Sequence, residues 1–306
     1  MNIESKPLTI PPRLKVGDTI GIVAPAGPFD RDKFDLGIQI LKRMGFEVFI
    51  PERLFESKGY LAGPDLHRAA LVNQLFADAS INAIMCARGG YGSMRLLPLL
   101  DYDIIENNPK VFLGFSDVSA ILAVLLSRCG LVGFHGPMVT TLADLPEKTL
   151  QSLSHAISSD DTLKIKLSNG VTVKPGSVSG PVWGGNLTTL CHLVGTPFEP
   201  SFKNKIVFLE DLGEAPYRVD RMLAHMKLAG CFEGVAGLIL GSFNECGSMH
   251  EICAIVADIF DDCQIPVLAG LDAGHGTNNL TLPLGIKAAL DADRHLLAYQ
   301  QPATIG

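Results

Sequence analysis

The sequence predicts an α/β protein with an N-terminal doubly wound parallel sheet domain and a smaller C-terminal α/β domain, the functional site lying in the cleft between them. In the first half of the chain, short apolar runs alternate with stretches of helical spacing, as in a doubly wound sheet. Several of the apolar runs end directly at polar side chains. In open α/β sheets that carboxyl edge is where ligands bind.

The elements of the first domain follow in order along the chain. An apolar strand over residues 19–24 ends at Pro25-Ala26-Gly27-Pro28, and the apolar spacing over 32–44 predicts a helix. The same reasoning predicts strands at 47–50, 83–87 and 111–113, and helices at 66–77, 94–100 and 118–126.

The amino-acid composition changes over residues 144–176, where acids, serines and short polar segments replace the long apolar runs. We therefore expect one domain over residues 1–150, a linker over 151–176 and a second domain over 177–306. In the second domain the patterns predict helices at 187–194, 219–228 and 251–260, and strands ending at Glu210 and covering 237–240, 286–291 and 295–299.

Composition excludes several classes of protein. With 306 residues, 47% of them hydrophobic and 19% charged, the chain is a globular protein beyond the usual single-domain size. The formal net charge of −7, without any basic run, argues against nucleic acid as the main partner. Seven cysteines without a Cys-x-x-Cys pair indicate neither a disulfide framework nor a zinc ribbon.

The expected location is the cytoplasm, with no membrane partner. The N-terminal residues contain polar side chains and prolines where a secretory signal needs an apolar core. The longest apolar helix, at 120–126, is too short to span a bilayer. Reduced thiols also fit a cytoplasmic protein.

The segment from Val111 to Ser119 is the most informative one. Its apolar run stops at Gly114, Ser116 and Asp117 follow, and a helical pattern then begins. Such a strand-to-helix turn can hold a nucleophilic hydroxyl clear of the backbone, and a helix N-terminus favours a developing oxyanion. The match to G-x-S-x-G is partial, because Val118 replaces the second glycine. The alternative is an ordinary helix N-cap by Ser116 or Asp117.

Two further strand ends provide an acid and a base. One apolar run ends in Glu210 and Asp211, and another ends in Gly274-His275-Gly276. The order Ser, acid, His is that of α/β-hydrolase triads. His135 also follows an apolar run and is the rival base, although the glycines beside His275 favour an exposed loop. The residues alone leave both pairs of alternatives open.

The loop Arg88-Gly89-Gly90-Tyr91-Gly92 lacks both the dinucleotide fingerprint and the Lys-Ser/Thr of a phosphate loop. Its glycines allow backbone N–H groups to approach a ligand closely. We expect an oxyanion hole formed by the N–H groups of Gly90 and Asp117, the alternative being a plain turn. The series Cys246, His250, Cys253 matches no zinc spacing, so we expect no metal and no organic cofactor.

Motifs in a fixed order resemble the LD-carboxypeptidase family of serine peptidases, which includes muramoyltetrapeptide carboxypeptidase and the microcin-immunity proteins. They are Val23-Ala24-Pro25-Ala26-Gly27-Pro28, Arg88-Gly89-Gly90-Tyr91-Gly92, Gly114-Phe115-Ser116-Asp117, Leu209-Glu210-Asp211, Pro216-Tyr217-Arg218 and Gly274-His275-Gly276. The resemblance runs from near Ile20 to near Gly285. It implies that Ser116 is the nucleophile, Glu210 the acid and His275 the base.

The resemblance also implies the reaction and the partners. A murein tetrapeptide, or its sugar-linked form, would lose its terminal D-Ala at an L-to-D bond during peptidoglycan recycling, and the enzyme would be a homodimer. The alternatives are a microcin-immunity-type peptidase acting on peptide–nucleotide conjugates and a non-catalytic peptide-binding protein.

A carboxypeptidase must recognise a free carboxylate, and arginine does so by bidentate pairing. Arg88, beside the expected oxyanion loop, is the candidate, whereas Arg218 and Arg221 begin a helix. Trp183, the only tryptophan, lies in a segment rich in glycine. We expect it either in a loop that lines the substrate pocket or as a buried anchor.

Overall fold

The computed structural model describes residues 6–306, which form two compact units. Unit 1 contains the chain up to Asp160 together with Thr281–Gly285 and Ala303–Gly306. Unit 2 contains Asp161–Leu280 and Ile286–Pro302. The chain therefore returns to unit 1 twice after leaving it.

Unit 1 is built on a six-stranded sheet. Numbered in chain order, its strands are β1 (Thr19–Val23), β2 (Glu47–Phe49), β3 (Ala83–Cys86), β4 (Val111–Gly114), β5 (Gly133–His135) and β12 (Leu282–Leu284). They lie in the order β12-β5-β4-β3-β1-β2, and all neighbours are parallel except β12, which pairs antiparallel with β5.

The strand order of unit 1 reverses at β1, since the chain adds β2 on one side of it and β3 on the other. Ligand sites in doubly wound sheets occupy the crevice at such a reversal, outside the carboxyl ends of the strands. The loops that leave the carboxyl ends of β1, β3 and β4 begin at Ala24, Ala87 and Phe115, and they contain the glycines and the serine singled out by the sequence.

The helices of unit 1 are α1 (Arg31–Arg43), α2 (Asp65–Ala77), α3 (Tyr102–Asn107), α4 (Ser119–Cys129) and α5 (Glu147–Ser158). Short 3-10 helices cover Ser93–Leu99, Ser116–Val118 and Val139–Asp144. Helix α1 starts where the Asp30 side chain accepts a hydrogen bond from the Lys33 N–H, and it buries Phe34, Ile38 and Leu41.

Unit 2 contains an eight-stranded sheet in the order β6-β14-β13-β8-β9-β10-β11-β7. Its strands are β6 (Lys164–Lys166), β7 (Val171–Lys174), β8 (Ser177–Asn186), β9 (Ile206–Leu212), β10 (Gly237–Asn244), β11 (Val267–Ala269), β13 (Lys287–Asp291) and β14 (Leu296–Tyr299). The strands from β8 to β11 are parallel, and the outer pairs are antiparallel. The helices are α6 (Leu187–Cys191), α7 (Pro216–Leu228) and α8 (Met249–Ile259).

The predicted α/β class is confirmed, and its parallel strands and helices lie within a few residues of the expected bounds. Residues 94–100, expected as an α-helix, are largely a 3-10 helix that contains Pro98. The segment 151–176, expected as a linker, holds the end of α5 together with β6 and β7, and the division between the units falls after Asp160. Within residues 6–306, no helix has both the length and the apolar character needed to cross a membrane.

Candidate active site

Ser116 lies in unit 1 at the sharp turn that follows β4. Its φ is +63°, a left-handed backbone conformation that side-chain-bearing residues rarely adopt. Such backbone strain costs about 1–3 kcal/mol and concentrates at functional positions. The turn is tight because a Cβ added to Gly114 would lie 2.7 Å from Cγ1 of the buried Val118. Val118, which departs from the G-x-S-x-G pattern, therefore packs against the first glycine of that pattern.

The glycine loop after β3 lies directly beside Ser116. A Cβ built on Gly89 would lie 3.0 Å from Cβ and 3.2 Å from Oγ of Ser116. The Gly89 carbonyl accepts a hydrogen bond of 3.1 Å from the Gly27 N–H, in the loop after β1. Since C=O and N–H point in opposite directions in a trans peptide, the Gly90 N–H faces away from Gly27. Gly90 has a φ of +110°, which favours glycine.

The Asp117 carboxylate does not cap the helix that follows it, so the alternative is wrong for Asp117. Neither the 3-10 helix Ser116–Val118 nor α4 has a side-chain cap, and Asp117 Oδ2 instead accepts a 2.7 Å hydrogen bond from the Ser93 N–H. Burial raises the pKa of Asp117, although the hydrogen bonds from Ser93 and the charge of Arg68 oppose it.

In unit 2, Glu210 and His275 form a close pair. Glu210 lies in β9 and is fully buried, and its Oε2 is 2.7 Å from Nδ1 of His275 and 3.1 Å from the His275 backbone nitrogen. The His275 side chain is 15% exposed. With the carboxylate at Nδ1, Nε2 is the ring nitrogen that lies away from Glu210.

Glycine at position 274 is needed for this pair. Gly274 has a φ of +102°, and a Cβ there would lie 2.4 Å from Oε2 of Glu210. The loop is held by neighbours on both sides: the Gly274 N–H donates to Oδ1 of the buried Asn279 over 2.9 Å, and the Ser242 hydroxyl donates to the Ala273 carbonyl over 2.8 Å.

The pKa of His275 lies above its usual range. Burial lowers it, but the hydrogen bond and charge of Glu210, together with the charge of Asp211, more than offset that effect. The imidazolium form is therefore stabilised, as a general base that must accept a proton requires.

The contacts of Glu210 and Asp211 separate the two acids that the sequence leaves as alternatives. Asp211 accepts hydrogen bonds from the Asn186 amide over 2.9 Å and from the Thr188 N–H and hydroxyl over 2.9 and 2.7 Å. Asp211 thus fixes the start of α6, and burial raises its pKa. Glu210 is the acid that contacts His275.

The rival histidine occupies a different environment. His135 lies on β5 in unit 1 and is completely buried, with its ring edge-on to Phe115 at a centroid distance of 5.9 Å. A base that serves substrate must be reachable by it. The environment of His275 suits that role better than that of His135.

Arg88 and Trp183 differ in exposure. Arg88 is exposed and donates a 2.7 Å hydrogen bond to the Pro28 carbonyl, which holds it near the loop after β1. Trp183 lies on strand β8 and not in a loop, so that expectation is wrong; its two neighbouring glycines belong to the strand. It is 3% exposed and packs edge-on against Phe202, in the position of a buried anchor.

The described residues 6–306 contain no group of three His, Cys, Asp or Glu side chains placed to hold a metal ion, and Cys246, His250 and Cys253 form no such group. Sequence reasoning missed Arg68, which donates to the Gly92 carbonyl of the glycine loop, and Asn279, which accepts from the Gly274 N–H beside His275. The signal for Arg68 is its helical spacing with the buried Val72 and Leu75, which places an arginine on the core-facing side of α2. We find no comparable signal for Asn279.

Comparisons with known proteins cover nearly the whole chain. The family model of the LD-carboxypeptidase N-terminal domain matches residues 20–136, and that of the C-terminal domain matches residues 179–290. The chain is 35% identical over 290 residues to the probable murein peptide carboxypeptidase of Bacillus subtilis (strain 168), covering 92% of this chain and 91% of that protein.

Two further proteins are also similar over almost their full lengths. The microcin C7 self-immunity protein MccF of Escherichia coli is 34% identical, with 96% of each chain covered. The crystal structure of muramoyltetrapeptide carboxypeptidase from Oxalobacter formigenes superposes with a TM-score of 0.80 at 31% identity, covering 92% of this chain and 97% of that one. These names support a peptidase role. The resemblance seen in the motifs is thereby confirmed, and the chain belongs to the LD-carboxypeptidase family.

Proposed function

We propose that this protein is a serine LD-carboxypeptidase that removes the terminal D-Ala from murein tetrapeptides. The observation that carries the proposal is the left-handed backbone of Ser116, with its hydroxyl in the space that a side chain on Gly89 would need. This is the geometry of a nucleophile held at a strained strand-to-helix turn beside backbone donors. The similarity to murein peptide carboxypeptidases supports the choice of substrate.

In the proposed mechanism, the Ser116 hydroxyl attacks the scissile carbonyl while His275 Nε2 takes its proton. The N–H groups of Gly90 and Asp117 stabilise the oxyanion, each such donor contributing about 3–4 kcal/mol. His275 then returns the proton to the amine of the leaving D-Ala, and an acyl-enzyme ester remains on Ser116. Water, activated by His275, hydrolyses this ester. Glu210 fixes the imidazole tautomer and stabilises the imidazolium.

We also infer a role for Arg88. Its exposed guanidinium, held near the loop after β1 by the Pro28 carbonyl, is suited to bind the free carboxylate of the terminal D-Ala. Arg88→Lys keeps the charge but loses bidentate pairing, so we expect a higher KM with a smaller change in kcat. Steady-state kinetics with the tetrapeptide measure both constants. A fall in kcat at unchanged KM would contradict this role.

The first test is mass spectrometry of the purified protein incubated with L-Ala-γ-D-Glu-meso-diaminopimelate-D-Ala. We expect the wild type to release one D-Ala and Ser116→Ala to release none. Ser201→Ala, a substitution at an exposed serine, is the matched control and should retain full activity. Equal release by the wild type and Ser116→Ala would show that Ser116 is not the nucleophile.

A peptide–nucleotide conjugate belongs in the same experiment, because the chain is 34% identical to a microcin C7 self-immunity protein. Cleavage of the conjugate with no loss of D-Ala from the tetrapeptide would replace the murein assignment with a microcin-immunity-type activity. Binding of the tetrapeptide without turnover of either substrate would indicate a peptide-binding protein.

A further inference from the structure

Arg68 is a charged side chain buried in unit 1, where it contacts three separate loops. It lies on α2 and is 1% exposed. Its Nε donates to the Gly63 carbonyl over 3.2 Å, and its Nη1 donates to the Gly92 carbonyl over 3.1 Å and to the Pro25 carbonyl. Pro25 follows β1 and Gly92 ends the glycine loop after β3, so one guanidinium joins two of the loops at the carboxyl edge of the sheet.

The remaining nitrogen of the guanidinium pairs with a carboxylate. Arg68 Nη2 donates to Oδ1 of Asp65, one turn earlier on α2. The other oxygen of Asp65 is 2.7 Å from Nη2 of the more exposed Arg95. The buried charge of Arg68 is therefore balanced, and Asp65 would keep one arginine partner if Arg68 were replaced.

One peptide group connects Arg68 to the turn that contains Ser116. The carbonyl of Gly92 accepts from Arg68, and the N–H of the same peptide, on Ser93, donates to the Asp117 carboxylate over 2.7 Å. Because C=O and N–H point in opposite directions, Arg68 and Asp117 hold this peptide from its two ends. A cation on the carbonyl and an anion on the N–H polarise the peptide in the same sense, which strengthens both hydrogen bonds.

This arrangement fixes the glycine loop relative to Ser116. Asp117 directly follows Ser116, and Gly92 ends the loop in which Gly89, by lacking a side chain, leaves room for the Ser116 hydroxyl. Another anchor of the loop is a neutral backbone hydrogen bond, from Gly27 to Gly89. Glycines leave a loop many accessible conformations, so the position of the Gly90 N–H depends on these anchors.

We propose that Arg68 is a positioning residue, which holds the Gly92–Ser93 peptide against Asp117 and thereby aims the glycine-loop N–H groups at the oxyanion that forms beside Ser116. This inference rests on the proposed function, because the oxyanion forms only in the proposed peptidase reaction. A misplacement of about 1 Å in such a constellation can cost on the order of 100-fold in rate. Arg68 itself touches neither the substrate nor the reacting atoms.

The experiment uses a readout that is independent of substrate identity. A fluorophosphonate forms a covalent bond to an activated serine hydroxyl and places its phosphoryl oxygen in the oxyanion hole. We would measure the second-order rate of Ser116 labelling, together with kcat and KM on the tetrapeptide and the Tm, for Arg68→Met and Arg68→Lys. Arg95→Met is the matched control, because it removes the other partner of Asp65 and leaves the three carbonyls held.

For Arg68→Met we expect labelling and kcat to fall roughly 10- to 100-fold with KM within about threefold of the wild type. Arg68→Lys keeps the charge and part of the hydrogen bonding, so it should recover part of the rate, and Arg95→Met should label at the wild-type rate. Since Arg68 and Asp117 hold the same peptide, adding Asp117→Asn to Arg68→Met should cost less than the two separate losses combined.

Wild-type labelling rates in folded Arg68→Met would overturn the inference, as would a lowered Tm in both Arg68 variants with no change in labelling. If Arg68→Met does not fold, Arg68→Lys decides the question by the same criterion. A wild-type protein that is labelled but releases no D-Ala would contradict the murein assignment and leave the positioning role intact. Absence of labelling in the wild type would overturn both.

Discussion

Gly89 and Ser116 constrain each other at the scale of single residues, because the serine hydroxyl lies where a side chain on Gly89 would have to go. A Cβ at position 89 would be 3.0 Å from Cβ and 3.2 Å from Oγ of Ser116. The φ of Gly89 is outside the left-handed region, so alanine is tolerated by the backbone there. The constraint is therefore on the position of the Ser116 hydroxyl and not on folding.

Gly89→Ala should consequently reduce activity while sparing stability. We expect kcat to fall at least about 10-fold, because the serine hydroxyl must shift from its position, and Tm to change little. Ser201→Ala, at an exposed position, is the control. Steady-state kinetics and thermal unfolding of the three proteins test this. A large loss of stability in Gly89→Ala with full activity would contradict it.

The raised pKa of His275 leads to a prediction about pH. As a base the imidazole must be neutral, so kcat/KM should rise with pH through a pKa above the ordinary histidine range. Glu210→Gln removes the negative charge that raises this pKa and weakens the hydrogen bond to Nδ1, but it leaves the burial that lowers the pKa. The rising limb of the pH–rate profile should move to lower pH, and kcat should fall on the order of 10⁴-fold. An unmoved limb would exclude His275 as the titrating base.

The raised pKa of His275 also makes the stability of the folded state depend on pH. A histidine whose pKa is raised by folding stabilises the folded state fully below its unfolded pKa. That contribution is lost as pH rises through the folded pKa. Between these two pKa values, Glu210→Gln should therefore flatten the dependence of the unfolding free energy on pH. Denaturant unfolding at several pH values measures this dependence.

Ser116, Glu210 and His275 could be proposed as site residues from sequence because each lies at the end of an apolar segment. What the sequence does not contain is the left-handed φ of Ser116 or the choice between Glu210 and Asp211. Both depend on packing between segments distant in the chain. Arg68 shows the same limit, because helical periodicity identifies a core-facing position and not the carbonyl groups that make an arginine tolerable there.

At the scale of elements, helix α1 packs unusually closely on the 3-10 helix Val139–Asp144. A Cβ on Gly37 would lie 2.0 Å from the Val139 carbonyl oxygen, so only glycine allows this approach. A carbonyl group of the backbone has no flexible end that could move aside. The two elements must separate if position 37 bears any side chain.

Gly37→Ala should therefore destabilise the protein despite the better helix propensity of alanine. Overpacking of this kind costs about 1–3 kcal/mol, more than the roughly 1 kcal/mol that alanine gains over glycine in a helix. Gln39→Ala, at an exposed position of the same helix, should change stability by less than about 0.5 kcal/mol. Urea unfolding monitored by circular dichroism measures both, and a stabilised Gly37→Ala would show that the helices move apart freely.

The elements that sequence reasoning missed are mostly short or masked by composition. β5 and β12 have three residues each, too few to show a period. Helix α5 buries Thr149, Leu153, Ala156 and Ile157 at helical spacing, but the serines and charged residues among them resemble a linker. The helical periodicity of this segment, and not its composition, predicts the observed structure.

At the scale of the whole molecule, unit 1 depends on segments that lie late in the sequence. β12 pairs with the outer edge of β5, and Ile305 forms a bridge with Pro12. A chain that ends at Asp160 lacks both. Its sheet would present the edge of β5 to solvent, and open edges promote association between chains.

We therefore expect the fragment 1–160 to unfold at lower temperature than the same fragment with residues 281–285 joined to it through a flexible Gly-Ser linker. The added strand restores the pairing with β5 and buries Leu282, which is 0% exposed in the intact chain. Thermal unfolding and light scattering of the two fragments test this. Equal Tm values and equal aggregation would show that β12 contributes little to unit 1.

Because β12 lies late in the sequence, it is also synthesised long after β5, the strand with which it pairs. A ribosome that adds about 5–20 residues per second finishes β12 roughly 7 to 30 s after β5. Small domains fold much faster than that, so the nascent N-terminal unit waits with an incomplete sheet while most of the second unit is being made. In this interval a chaperone can recognise the growing chain by its open β5 edge.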